Sequence, residues 1–133
     1  MKKLFAILVS APLLLSCAGG ISVKDLVSEK KYVLQSVNGV AFASRERTPE
    51  IQFDGSMRVS GQVCNRFMGQ GQLKGDVLTV PQMASTMMLC ADPELNAMEQ
   101  EFTSLLRQGA KVALRGDTLS LSSGTITYTY SAR

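Results

Sequence analysis

From residue 30 onward, apolar and polar residues alternate in runs of four to eight, and turn residues break the runs. That alternation is the mark of strands with one face buried and one in water. It constrains this chain more than any other feature. Tyr32 to Val37 reads as a first strand, ended by Asn38-Gly39. Glu50 to Phe53 reads as a second, and Asp54-Gly55 is a hairpin turn signal. Met57, Val59, Gly61 and Val63 then share one face. Gly69 to Leu73 and Val77 to Val80 form another hairpin around Lys74-Gly75-Asp76, and Ser85 to Cys90 reads as a short strand after Pro81. Alternation returns in Val112 and Leu114, in Leu119 and Leu121, and in Ile126, Tyr128 and Tyr130.

One stretch breaks the period. Asp92 is placed to cap a helix and Pro93 suits its first position. Leu95, Met98, Phe102, Leu105 and Leu106 make one helical stripe, Arg107 lies in the last turn and Gly109 is a stop. The pattern predicts a mainly β, β-rich α+β fold. It is a single compact antiparallel barrel-like sheet of about eight short strands, with one amphipathic helix at about 93–108. A length of 133 residues suits one such domain.

The first residues read as an address. Lys2 and Lys3 precede Leu4 to Leu15, an apolar run of about 12 residues, too short to span a bilayer, which takes about 20. This is the form of a secretory signal peptide. Leu14-Leu15-Ser16-Cys17 resembles a bacterial lipobox, so residues 1–16 are expected to be cleaved and Cys17 lipidated. Residues 17–30 then serve as the lipidated Cys and tether, and 31–133 as the domain. By resemblance to sorted bacterial lipoproteins, Ala18 after the lipid Cys, rather than Asp, implies an outer-membrane address with the chain on the periplasmic face. Several acyl chains anchor stably, at about 0.8 kcal/mol per buried methylene.

The other two cysteines, Cys64 and Cys90, are an even remainder in an exported chain, which suggests a disulfide. Two free buried thiols or a redox pair are the alternatives, although no Cys-x-x-Cys spacing supports the last. A bridge of this span would stabilise by about 3 kcal/mol.

Catalysis finds little footing. The chain has no His, so no imidazole acts as base or metal ligand, and neither cysteine has an obvious group to make it a thiolate. Glu99 and Glu101 read as a solvated helix face. Met83, Met87 and Met88 near Cys90 offer soft ligands, but core filling is the preferred reading. No catalytic residue, metal site or cofactor is expected. Fourteen Lys and Arg stand against 11 Asp and Glu, and Lys2 and Lys3 leave with the leader. The mature chain is nearly neutral, with no basic stripe for nucleic acid.

Two segments, Val59 to Gly69 with Cys64-Asn65-Arg66-Phe67 and Thr86 to Ala91 with Met87, Met88 and Cys90, resemble the META domain family. With Tyr32 to Gly39, the likeness runs from about residue 30 to 130. Tyr32 stands where many members have Trp, and Val63 where Gly is common. The resemblance implies a compact β-rich domain and a heat-induced outer-membrane lipoprotein linked to novobiocin resistance; it supplies no reaction. Asn65, Arg66, Phe67, Thr86, Met87 and Met88 are the candidate interaction or structural motif. Asn65-Arg66 is either a turn device beside a disulfide corner or a polar contact for a partner. The expected role is non-enzymatic support of the envelope under heat stress. The expected partners are the membrane, through the Cys17 lipid, and an envelope protein or lipid, with the chain itself a monomer. The alternative is a small apolar-ligand carrier.

Overall fold

The computed structural model describes residues 22–44 and 46–133. The expected signal peptide and Cys17 lie outside the described residues. The chain runs α1 (Val23–Val27), β1 (Lys30–Val37), β2 (Val40–Ala41), β3 (Glu50–Phe53), β4 (Arg58–Gln62), β5 (Arg66–Gln70), β6 (Gln72–Lys74), β7 (Val77–Thr79) and β8 (Met83–Ser85). After these come α2 (Pro93–Gln108), β9 (Ala110–Arg115), β10 (Thr118–Ser123) and β11 (Ile126–Ala132).

The fold is mainly β, as the alternation predicts. One antiparallel sheet curls into a half-barrel in the order β6-β7-β9-β10-β11-β1-β3-β4-β5-β8, and β2 pairs with β1 off this path. More strands form than the eight expected, because the stretch read as one strand at Gly69 to Leu73 divides into β5 and the three-residue β6, and the two-residue β2 is added. Such pieces are too short to show a period. Two further expectations shift. Residues 17–30 are read as a tether, with a short local helix around Asp25-Leu26-Val27 as the alternative; α1 forms at that place, and β1 begins at Lys30. Val27 is fully buried and accepts from the Tyr32 hydroxyl at 3.4 Å, so burial of one valine fastens this turn to the domain. The strand read in Ser85 to Cys90 is instead Met83–Ser85, for a reason given below.

The helix sits in the open side of the curl. Asp92 caps it by accepting from the Glu94 N–H at 2.9 Å, Pro93 opens it, and Gly109 ends it at φ 123°. Leu95, Phe102, Leu105 and Leu106 are buried and Met98 is half-buried, which is the predicted stripe. Phe102 is the centre of the packing. Its ring lies 5.6 Å from Phe67 and 5.4 Å, edge-on, from Tyr128. Tyr32, Ile51, Val59, Leu119, Leu121 and Tyr130 fill the space around it. A bulge between Leu34 and Ser36 in the β1–β11 pairing helps the sheet bend. Gly61 lets β3 and β4 approach: a β-carbon there would collide with the Glu50 carbonyl.

The strands end in two rims. Lys30, Phe53, Arg58, Gln70 and Thr118 belong to the first, where α1 packs and the Glu29 N–H bonds the Phe53 carbonyl. Val37, Glu50, Gln62 and Arg66 belong to the second. Cys64 and Asn65 connect β4 to β5 on that second rim, across the length of the sheet from Ser22.

The β3–β4 turn on the first rim gives a pH-dependent prediction. Asp54 accepts from the Ser56 N–H and hydroxyl, both at 2.8 Å, and from the Arg58 N–H at 2.9 Å. The left-handed residue of this three-residue hairpin loop is Met57 (φ 63°) rather than Gly55, so the carboxylate has to fasten the loop. The Ser56 hydroxyl bond first, then the Arg58 amide, hold the Asp54 carboxyl below its ordinary value. A depressed folded-state pKa gives stability that is full above the unfolded value of about 3.9 and is lost as pH falls through the folded one. Asp54→Asn should therefore be less stable than wild type at neutral pH. The gap should narrow steadily below about pH 4. Urea midpoints measured from pH 7 down to pH 2.5 test this; a gap that does not change with pH would refute it.

Candidate functional site

The second rim carries a loop whose main chain is held by side chains rather than by a partner strand. Asn65 is 5% exposed and uses its whole amide. Its Oδ1 accepts from the Met88 N–H at 2.7 Å and the Thr86 hydroxyl at 2.9 Å, and its Nδ2 donates to the Met88 carbonyl at 3.0 Å. The Asn65 amide thus pairs with Met88 as a peptide unit of β5 would, extending the ladder by one residue beyond its end. Glu99 of α2 closes the arrangement from behind. Its Oε2 accepts from Asn65 Nδ2 at 2.7 Å and its Oε1 from the Asn65 backbone N–H at 2.6 Å.

Further along, Asn96 brackets Cys90, donating to its carbonyl at 2.8 Å and accepting from its N–H at 3.0 Å. The Glu46 carboxylate accepts from the Ala91 and Asp92 N–H groups at 3.3 and 3.0 Å. Cys64 and Cys90 are joined as a disulfide, with Cα atoms 5.9 Å apart, and the Arg47 guanidinium donates to the Cys64 carbonyl.

Between these ties the side chains point outward. Met87 is 94%, Met88 57% and Leu89 88% exposed. This corrects the core-filling reading of Met87 and Met88; Met83 alone is packed partly against the core. Average burial of Met does not apply where the backbone is committed elsewhere. Three large apolar residues in water on a fixed backbone form an apolar knuckle.

The motif residues therefore divide by role. Asn65 and Thr86 hold the loop, and Phe67 is a core residue against Phe102. Arg66 is exposed on β5, and Met87 and Met88 form the knuckle. The reading of Glu99 and Glu101 as a merely solvated face is corrected as well. Glu99 holds Asn65, and Glu101 accepts from the Tyr128 hydroxyl at 3.3 Å. Burial first, then the Glu101 charge, push the Tyr128 hydroxyl above the ordinary phenol range. Tyr130 is raised mainly by burial, which suits a packed core. Sequence reading did not reach Glu46 or Asn96, and it gave Glu99 the wrong role. For Glu99 the available signal was its place on the border of the apolar stripe; for Glu46 there was none.

Among the described residues, no three Asp, Glu, Cys or His side chains gather in a metal-holding group, and no helix is long and apolar enough to cross a membrane.

A half-barrel plugged by one helix, with a disulfide tying the β4–β5 turn to the segment before the helix, defines a small mainly β domain with one clamped loop. The META domain model matches residues 24–132, and the chain belongs to the META domain family. It is 35% identical to the heat shock protein HslJ of Escherichia coli K12, over 98% of this chain and 95% of that protein. A solved NMR structure superposes with a TM-score of 0.74 at 38% identity, covering 81% of this chain and 92% of the other. Another, from Burkholderia xenovorans, superposes at 0.65 with 22% identity, covering 83% and 86%, and shows the shared fold.

Proposed function

We propose that this protein is a stress-associated envelope protein that works by contact rather than catalysis, through the Met87-Met88-Leu89 knuckle. The observation that carries the reading is the knuckle itself: apolar side chains left in water by a main chain held through Asn65, Asn96, Glu46 and a disulfide. Exposed apolar clusters of this kind are characteristic of interaction sites. The association with heat stress comes from likeness to HslJ.

The lipobox-like sequence supports an anchor at Cys17 on the periplasmic face of the outer membrane. Five residues from Cys17 to Ser22 reach at most about 18 Å. The first rim then faces the lipid and the knuckle faces the periplasm. The novobiocin link follows if the protein helps keep the outer membrane tight, since that barrier limits entry of a large, partly apolar drug. The carrier alternative fits less well, because the concave side of the sheet is filled by Tyr32, Phe102, Tyr128 and Tyr130.

The test is complementation in the parent bacterium lacking the gene. Met87→Asp with Leu89→Asp should leave the thermal unfolding midpoint within about 2 °C, because surface changes rarely exceed 0.5 kcal/mol. It should fail to restore heat survival and novobiocin tolerance. Full rescue by this variant would overturn the contact reading. Intact mass of the membrane-extracted protein should fit residues 17–133 plus three acyl chains; a product without lipid would remove the anchor.

A further inference from the structure

We infer that β8 is a docking edge for an extended polypeptide of alternating apolar residues with flanking carboxylates, which adds to the sheet as a strand and reaches the knuckle. β8 ends the sheet, with no strand beyond it among the described residues. Its pairing with β5 fixes which main-chain groups are free. The Thr86 N–H bonds the Arg66 carbonyl at 3.0 Å, and Ala84 pairs with Met68. Residues 84 and 86 thus turn their N–H and C=O toward β5, and Met88 turns its own toward Asn65. By alternation, Met83 and Ser85 turn theirs away from the sheet. An open row of donors and acceptors specifies an extended chain.

The space beside that row is a cleft of about 560 Å³ between β8 and α2. Phe67 and Met83 form its floor, and Gln100, Thr103, Ser104 and Arg107 form the far wall. The knuckle continues the line of β8 by two residues. A strand added at β8 would therefore lay apolar side chains on Met87 and Leu89. Methionine adapts its shape, so varied sequences would fit.

Charge and the course of the chain narrow the occupant. Arg107 lines the cleft and Arg66 lies on the other face of the same edge with Ala84 and Thr86; neither joins the ion pairs among the described residues, which are Lys31–Glu50 and Lys111–Asp76. Glu99 also lines the cleft and keeps its charge, with both oxygens turned to Asn65, so an incoming carboxylate is directed to Arg107 and away from Glu99. Carboxylates at the ends of an incoming strand would meet the two arginines. A second copy pairing edge to edge would set arginines against arginines. Ser22 and Arg133 lie by the first rim, and no described residue runs along the outer edge of β8. An extended segment with apolar alternation is what a partly unfolded β-rich protein exposes. The partner class thus deepens the contact reading above and rests on it.

The probe is a labelled nine-residue peptide of alternating Val and Thr with Glu at each end. Its binding to the protein as isolated from cells, held in lipid nanodiscs, is read by anisotropy. N-methylation of alternate residues blocks hydrogen bonding on one edge of the peptide at a time. One methylated peptide should lose at least tenfold in affinity and the other little. Ser85→Pro removes an outward N–H while leaving those of Ala84 and Thr86 on β5. It should cost a similar factor with thermal unfolding unchanged, and peptide should slow hydrogen exchange at Met83 and Ser85. Equal binding of both methylated peptides, no binding at all, binding of anionic vesicles in its place, or a dimer broken by Ser85→Pro would each overturn strand addition. If the peptide fails but Met87→Asp with Leu89→Asp still abolishes complementation, the contact role stands and only the strand partner falls. If that variant complements fully, the contact role falls whatever the peptide does.

Discussion

Asn65→Leu is expected to lower the unfolding free energy by about 3 kcal/mol, several times the effect of an average surface change. The replacement is similar in size and apolar, so it leaves little void. What it removes is every partner of the Asn65 side chain. Met88 loses bonds to its N–H and carbonyl, and Glu99 Oε2 loses its donor. Each buried group left unpaired costs about 1–3 kcal/mol. The Thr86 hydroxyl lies on an exposed residue and can turn to water, so the total stays below the simple sum.

A sharper version replaces the amide with an acid. In Asn65→Asp, an oxygen takes the place of Nδ2 and faces both the Met88 carbonyl and Glu99 Oε2, each an acceptor. The new carboxyl is buried beside a like charge, so its folded-state pKa rises above the unfolded value of about 3.9. The charged form is then penalised above that value, and the penalty fades as pH falls through the raised pKa. Asn65→Asp should therefore approach wild type near pH 4 and fall furthest behind it at pH 8. Guanidinium unfolding across that range gives the answer. A pH-independent deficit would mean that the Glu99 carboxylate does not face this position.

The parts of this architecture legible in sequence are those governed by neighbours. Asp92-Pro93, the Leu95-to-Leu106 stripe and Gly109 delimit α2 because caps and stripe lie within a few residues of one another. The long strands show their faces by alternation, since Leu119, Leu121, Tyr128 and Tyr130 all turn to one core. The knuckle obeys no local rule. The backbone partners of the knuckle and its flanks come from Asn65, Asn96 and Glu46, up to 46 positions away, and Glu99 holds Asn65 in turn. Composition therefore pointed Met87 and Met88 inward, and apolar content alone suggested a strand where only Met83–Ser85 pairs. Asn65 could be singled out, but its partner on α2 could not, because nothing in the spacing of 65 and 99 announces contact. The pairing of Cys64 with Cys90 followed from counting cysteines once Cys17 was assigned to lipid.

Removing that bridge by Cys64→Ala with Cys90→Ala is expected to cost about 3 kcal/mol on the chain-entropy model, for a sequence separation of 26. Alanine avoids placing a hydroxyl at two buried positions. The fold should persist, because the two cysteines are a small part of a core in which Phe102 also packs against Phe67 and Tyr128. The loss should appear as a lower urea midpoint with an unchanged slope. Its local effect should be uneven: amide exchange should speed up at Met88 and Cys90 well before it does at Tyr128. Bridge and Asn65 hold the same segment from the same side, so their effects should couple. Once the bridge is gone, the segment from Thr86 to Cys90 is freer to take its exposed groups into water, and Asn65→Leu has less left to disrupt. The triple variant should then be more stable than the two separate losses predict, by about 1 kcal/mol, within the range seen for residues sharing one network. Strict additivity would mean that the bridge acts only on the unfolded chain. The knuckle would then owe its fixed main chain to Asn65, Asn96 and Glu46 alone.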